Sequence, residues 1–181
     1  LPALAASREA SLHLTVAQAI PKGQKMDLIV QKCVELGVGR IVPMVTGRTV
    51  VHLEEKEAAR QHRWQKIAEE AAAQCGRTQV PEVTAPQTLT EALGMCAEVD
   101  ACLLLDESEQ TTRLRDALNA LPPVKHIALL VGPEGGFSPS EVQTAHRYGA
   151  QSVSLGPRIL RTETAALVTA ALILYHYEDL G

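Results

Sequence analysis

Aromatic side chains are scarce: one Trp, one Phe and three Tyr in 181 residues. So few rings offer little for stacking bases, and with a formal net charge of −4 they weigh at first against a nucleic-acid partner. No C-x-x-C pair occurs, and Cys33, Cys75, Cys96 and Cys102 have no histidine at ligand spacing. They read as buried thiols of a reducing cytosol, and no metal is expected. No apolar run reaches the roughly 18 residues of a membrane span, and no signal peptide is visible. The expected location is therefore the cytoplasm, with no membrane partner. The first residue is Leu1 rather than Met, so an N-terminal piece is expected to be missing.

What is present is globular. A chain that is 46% hydrophobic and 21% charged suits one domain. At roughly 150 residues or more, about two thirds of the unfolded surface can be buried without disulfide or metal support. The charge is also uneven. Residues 1–80 carry 11 Lys and Arg against 8 Asp and Glu, whereas residues 81–181 carry 6 against 13. The mildly basic first part is the one suited to face phosphates.

Strand-like and helix-like segments alternate. Ser11 to Ile20 alternates as a strand, with Leu12, Leu14 and Val16 on one face, and ends at Pro21. Met26, Ile29, Val30, Cys33 and Val34 recur at helical spacing up to a stop at Gly37, and a strand follows from Arg40 to Val45. A helix is expected from Glu54 to about Gly76, on the stripe Trp64, Ile67, Ala68, Ala71, Ala72 and Cys75. Thr78 to Thr90 reads as a connection. A short helix to about Met95, a strand 101–105, a helix 111–121 and a strand 127–131 come next. Ser138-Pro139-Ser140-Glu141 is a capping box that opens a helix to about Tyr148. A short strand 151–155 precedes a last helix, 163–177, apolar almost all round, which must be covered on every side. This order implies an α/β fold with a parallel sheet and helices on both faces.

Ligands in such sheets sit at the carboxyl ends of strands. Three loops qualify. The first begins at Asp106, which suits a ribose hydroxyl or a simple turn. The second, Gly132-Pro133-Glu134-Gly135-Gly136-Phe137, packs three glycines into five residues beside a carboxylate, yet it is neither a Walker A nor a G-x-G-x-x-G motif. The third, Gly156-Pro157-Arg158-Ile159-Leu160-Arg161-Thr162-Glu163, sets two arginines among apolar residues before the last helix. Thr162 as a helix cap and Glu163 as a first-turn charge account for only part of it.

The pair G-P-E-G-G-F-S at 132–138 and L-G-x-R-I-L-R-T-E-T-A at 155–165 resembles the SPOUT methyltransferases, and more narrowly the ribosomal small-subunit RNA uridine-N3 methyltransferase family. K-G-Q-K-M-D at 22–27, V-E-L-G-V at 34–38 and R-W-Q-K-I-A-E-E-A-A-A-Q-C-G-R at 63–77 fit the same family, so the resemblance runs from about residue 11 to the end. It implies a C-terminal deep trefoil knot through residues 132–165, bent S-adenosylmethionine as cofactor, 16S rRNA of the small subunit as substrate, and a homodimer to which the small final helix is suited. Implied cofactor residues are Leu105, Asp106, Gly132, Pro133, Glu134, Gly135, Gly136, Leu155, Gly156, Ile159, Leu160, Arg161, Thr164 and Ala165. Arg161 is the candidate for stabilising the uridine anion or contacting RNA, and Glu134 or Glu163 for base or cofactor anchor. Lys22, Lys25, Arg40, Arg48 and Arg77 are the phosphate candidates, with Lys22 and Arg77 first. The family also carries an N-terminal β-barrel RNA-binding domain, of which residues 1–10 would be a linker remnant and 11–181 the methyltransferase domain. Two rival readings stand beside this one: another nucleotide-binding α/β enzyme, and a noncatalytic RNA-binding scaffold.

Overall fold

The computed structural model describes residues 8–49 and 57–180. Seven strands and six helices alternate: β1 His13–Ala19, α1 Lys25–Leu36, β2 Arg40–Val45, α2 Glu57–Cys75, β3 Glu82–Val83, β4 Gln87–Thr88, α3 Leu89–Gly94, β5 Ala101–Leu105, α4 Leu114–Ala120, β6 His126–Val131, α5 Pro139–Arg147, β7 Gln151–Val153 and α6 Thr162–His176. A 3-10 turn, Met95–Ala97, follows α3. The sheet order is β3-β2-β1-β6-β5-β7, with β4 also on β2, and every pairing is parallel.

The strands alternate because both faces are covered. Ile127, Leu129 and Val131 of β6 join Leu14 and Val16 of β1 against α1, α2, α4 and α6. Ala128 and Leu130 turn the other way, against α3 and α5. Apolar residues are therefore favoured on both faces, which is why β5 and most of β6 read as continuous hydrophobic runs, while β1 buries Thr15 and Gln18 among its apolar residues.

Four expectations are corrected. The 78–90 connection holds two short strands at the edge of β2, pairing Arg40 with Glu82 and Met44 with Gln87. Pro81 and Pro86 lack the N–H a longer ladder needs. The fourth helix starts at Leu114 rather than 111, because the amides of Thr111 and Thr112 donate to the Glu109 carboxylate at 2.6 and 2.9 Å. Helix α6 is not covered on every side: Val168, Leu172 and Tyr175 are 38, 46 and 67% exposed, one stripe left open by the single chain. Nor are all four cysteines thiols. The 3-10 turn brings Cys96 to Cys102 of β5 with a Cα separation of 5.3 Å, and the two are joined as a disulfide. Cys33 does remain a buried thiol, and burial pushes it up to about 12. Among the described residues no helix is long and apolar enough to cross a membrane, and no three His, Cys, Asp or Glu gather to hold a metal.

At the amino ends of the strands, Arg77 closes the fold. Its guanidinium donates to the carbonyls of Val34 and Val38 at 3.0 and 2.8 Å and to Glu9 Oε2 at 2.7 Å. Glu9 also accepts from the amides of Thr78 and Gln79. The two side chains are only 6 and 13% exposed. Burial pushes the Glu9 carboxyl up, but Arg77 and the two amides outweigh it and hold its pKa below the ordinary value. The pair's stabilisation is therefore complete above the unfolded carboxylate pKa of about 4.3 and is lost as pH falls through the lower folded value. Arg77→Met, which strands a buried carboxylate, should lower the unfolding free energy in urea by about 3 kcal/mol at neutral pH. It should also shrink the loss on acidification. An unchanged urea midpoint would contradict this role.

Candidate functional site

The three loops singled out from the sequence converge. Residues drawn from 105–113 after β5, from 131–137 after β6 and from 153–165 after β7 line a cleft of about 770 Å³ at the carboxyl ends of these strands. Its apolar walls include Leu105, Val131, Phe137, Leu155 and Leu160, the mixture expected of a site for a small organic ligand.

The second loop doubles back tightly. The Gly136 amide donates to the Pro133 carbonyl at 2.9 Å, with Gly136 at φ +64°. A Cβ on Gly132 would lie 3.3 Å from the Gly136 backbone, so a side chain there has no room. Gly135 differs: it does not line the cleft, its carbonyl accepts from Arg48, and a Cβ on it would meet only the movable Arg48 side chain.

A buried chain of hydrogen bonds ties the second and third loops to the sheet. Gln18 Nε2 donates to Thr162 Oγ1 at 2.9 Å, and Thr162 Oγ1 donates to the Gly132 carbonyl at 2.6 Å. Thr162 is thus not the helix cap; it is the first residue of α6, and Arg161 occupies the cap position with no capping bond from its side chain. The sequence did carry a signal for Gln18, a polar residue where the face of Leu14 and Val16 should continue.

Of the two candidate bases, Glu134 lines the cleft and Glu163 does not, and both converge on Lys25. Lys25 Nζ lies 3.3 Å from Glu134 Oε1 and 3.5 Å from Glu163 Oε2. Glu134 Oε1 also accepts from the Lys22 amide at 2.9 Å. Burial raises the Glu134 pKa, but its own amide, the Lys22 amide and Lys25 together lower it further, so it stays an occupied carboxylate. Glu163 does not line the cleft. The ammonium of Lys25 therefore clamps the glycine loop and the first turn of α6 together.

Most other candidates fall where the sequence put them, with corrections. Asp106, Pro133, Gly156, Ile159, Arg161 and Ala165 line the cleft, whereas Thr164 is exposed outside it. Asp106 is also a turn-former: Oδ1 accepts from the amide and hydroxyl of Ser108, and Oδ2 from Ser152 Oγ at 3.3 Å. Among the described residues, the Arg161 and Arg158 guanidiniums have no partner, and both are exposed at the cleft. Of the phosphate candidates, Lys22, Lys25 and Arg48 lie beside the glycine loop. Arg40 and Arg77 are at the opposite ends of the strands, Arg40 paired with Glu82 at 3.1 Å and Arg77 buried against Glu9. A guanidinium already desolvated by carbonyls and a carboxylate is a structural tie. Sequence reasoning missed Glu107, Glu109, Gln110 and Arg113, which enter because the 105–113 segment lines the cleft, and it named Phe137 only as the end of the glycine loop, not as a site residue. No periodicity marks such a loop.

Fold and cleft place the chain among α/β enzymes that bind a ligand at the carboxyl ends of parallel strands. A model of the RNA methyltransferase domain family matches residues 8–174, and the chain belongs to that family. It is similar to ribosomal RNA small subunit methyltransferase E of Bacillus subtilis, 34% identical over 177 residues, covering 95% of this chain and 69% of that protein. Among solved structures it is similar to a putative methyltransferase from Legionella pneumophila in complex with S-adenosylmethionine, at 41% identity and a TM-score of 0.85, covering 96% of this chain and 70% of that one. A ribosomal RNA small subunit methyltransferase E from Neisseria gonorrhoeae bound to S-adenosylmethionine gives 39% identity and a TM-score of 0.83 over 92% and 67% of the two chains. The chain thus spans about two thirds of the length of these relatives.

The two glycines differ enough to test the loop. Gly136→Ala puts a side chain at positive φ and 3.0 Å from Glu107 Oε1. It should cost about 1–2 kcal/mol in chemical denaturation, while Gly135→Ala should stay within about 0.5 kcal/mol. Equal costs would contradict the described loop.

Proposed function

We propose that this chain transfers a methyl group from S-adenosylmethionine to N3 of a uridine in 16S rRNA of the small ribosomal subunit, in the cytoplasm. The observation that carries the reading is the cleft itself. Two sequence segments of one methyltransferase family line it, and a guanidinium free of protein partners stands at its edge. Relatives of the same fold hold S-adenosylmethionine.

The residues present suit that cofactor. Gly132 and Gly136 let the backbone come close, and Leu105, Val131, Leu155 and Leu160 offer apolar surface for an adenine ring. When bound, the cofactor supplies an electrophilic methyl group. The chain's task is to hold the uridine in line, a positioning contribution, and to favour loss of the N3 proton. Arg161, unpaired at the cleft edge, is the group placed to stabilise the anion spread over O2 and O4. Glu134 and Glu163 are held on Lys25, so their part is to fix the walls of the site. Lys22 and Arg48 beside the glycine loop are suited to RNA phosphates.

The same reading includes a trefoil knot through residues 132–165. In its support, the chain leaves the edge strand β7 and returns to the centre of the sheet, where α6 packs on β1 and β6 and Thr162 reaches Gly132. It also includes a homodimer, supported by the open stripe of Val168, Leu172 and Tyr175 on α6.

The test is transfer of labelled methyl from S-adenosylmethionine to small ribosomal subunits, with the modified base mapped and the enzyme's mass measured by light scattering. The expected result is label at a uridine N3 and twice the chain's mass. Arg161→Ala should lower transfer about 100-fold while changing cofactor affinity far less. Label on another base or atom would overturn the proposed specificity, and equal loss of transfer and affinity would make Arg161 a cofactor ligand.

A further inference from the structure

Four carboxylates line the cleft: Asp106, Glu107, Glu109 and Glu134. Three are already engaged. Asp106 accepts from Ser108 and Ser152. Glu109 accepts from Thr111 and Thr112, which together bring its pKa to about 2. Glu134 is held by Lys22 and Lys25. Glu107 alone of the four has no hydrogen-bond or ionic partner among the described residues. It does not point at random, since its Oε1 comes within 3.0 Å of the place a Cβ would take on Gly136. An unpaired anion therefore rests against the glycine loop, on the cleft side. Of the cleft's cations without a side-chain partner among the described residues, Arg158 and Arg161 are carried by the loop after β7, and Arg113 by the same loop as Glu107.

We propose that Glu107 is a cofactor-binding residue that receives the α-ammonium of the cofactor's methionine moiety. This rests on the S-adenosylmethionine reading above and goes beyond it, since neither loop motif includes residue 107. That cofactor carries two cationic centres, an ammonium and a sulfonium, and one carboxylate. Of the two cationic centres only the ammonium has N–H donors for a carboxylate, and such charge-assisted bonds are stronger than those to the neutral adenine amine or ribose hydroxyls. The sulfonium must keep its methyl group open to the incoming base. The methionine carboxylate is left for a guanidinium or solvent. An acceptor placed against Gly136 holds the flexible methionine end near the loop that receives the adenosine.

The experiment measures binding of S-adenosylmethionine, S-adenosylhomocysteine and 5′-methylthioadenosine by calorimetry to the whole chain and to Glu107→Gln. The first two ligands share the ammonium, and the third lacks it. Expected is a loss of about tenfold for both amino-acid-bearing ligands and no change for 5′-methylthioadenosine. Glu107→Asp, which keeps the charge, should recover part of the loss. If S-adenosylmethionine alone weakens, the contact is to the sulfonium and the proposal is overturned. If all three weaken together, Glu107 serves the shared adenosine or the glycine loop rather than the ammonium and the proposal is overturned, as it is by unchanged affinities. Failure of the unsubstituted chain to bind any of the three would instead remove the cofactor reading on which the proposal rests.

Discussion

The site depends on one buried hydroxyl. Thr162 Oγ1 accepts from Gln18 Nε2 and donates to the Gly132 carbonyl, so a central strand, the loop after β6 and the first residue of α6 meet at one atom. Thr162 is 5% exposed and Gln18 fully buried. The donors so placed, Gln18 Nε2 and the Thr162 hydroxyl, find their acceptors within the protein, and such bonds specify an arrangement more sharply than apolar packing can. Here the arrangement is the mutual position of two loops that lie 30 residues apart in the chain.

Around that atom the electrostatics are divided by position. On the outer side, Lys25 gathers Glu134 and Glu163, binding the same two loops a second time with charges that remain about a third or less exposed. On the cleft side, Glu107, Arg113, Arg158 and Arg161 have no side-chain partner among the described residues. The carboxylates that look catalytic in the sequence, Glu134 and Glu163, are thus the ones held on Lys25. The overall charge of −4 hides this, because it adds paired and unpaired groups alike.

Much of the architecture was legible in the sequence. The bounds of β2 and β5 and the Ser138 capping box agree with the structure, since alternation, continuous apolar runs and caps are local signals. The three site loops were also legible, because parallel sheets place ligands at strand ends. What was not legible is long-range. Arg77 looked like a surface cation until Glu9, 68 residues away, was seen to bury it. Glu163 looked like a base until Lys25 was seen beside it. The open stripe on α6 could not be told from a covered one, because composition does not say whether the cover comes from the same chain.

The central claim is that the Thr162 hydroxyl holds both loops in the form that accepts the cofactor. The direct measurement is calorimetric titration of S-adenosylmethionine into Thr162→Ser and Thr162→Val, each first shown to unfold cooperatively. Serine keeps the hydroxyl and should bind within about threefold of the unsubstituted chain, whereas valine, of similar shape without it, should lose about tenfold or more. A folded Thr162→Val chain that binds as tightly as the original would contradict the account.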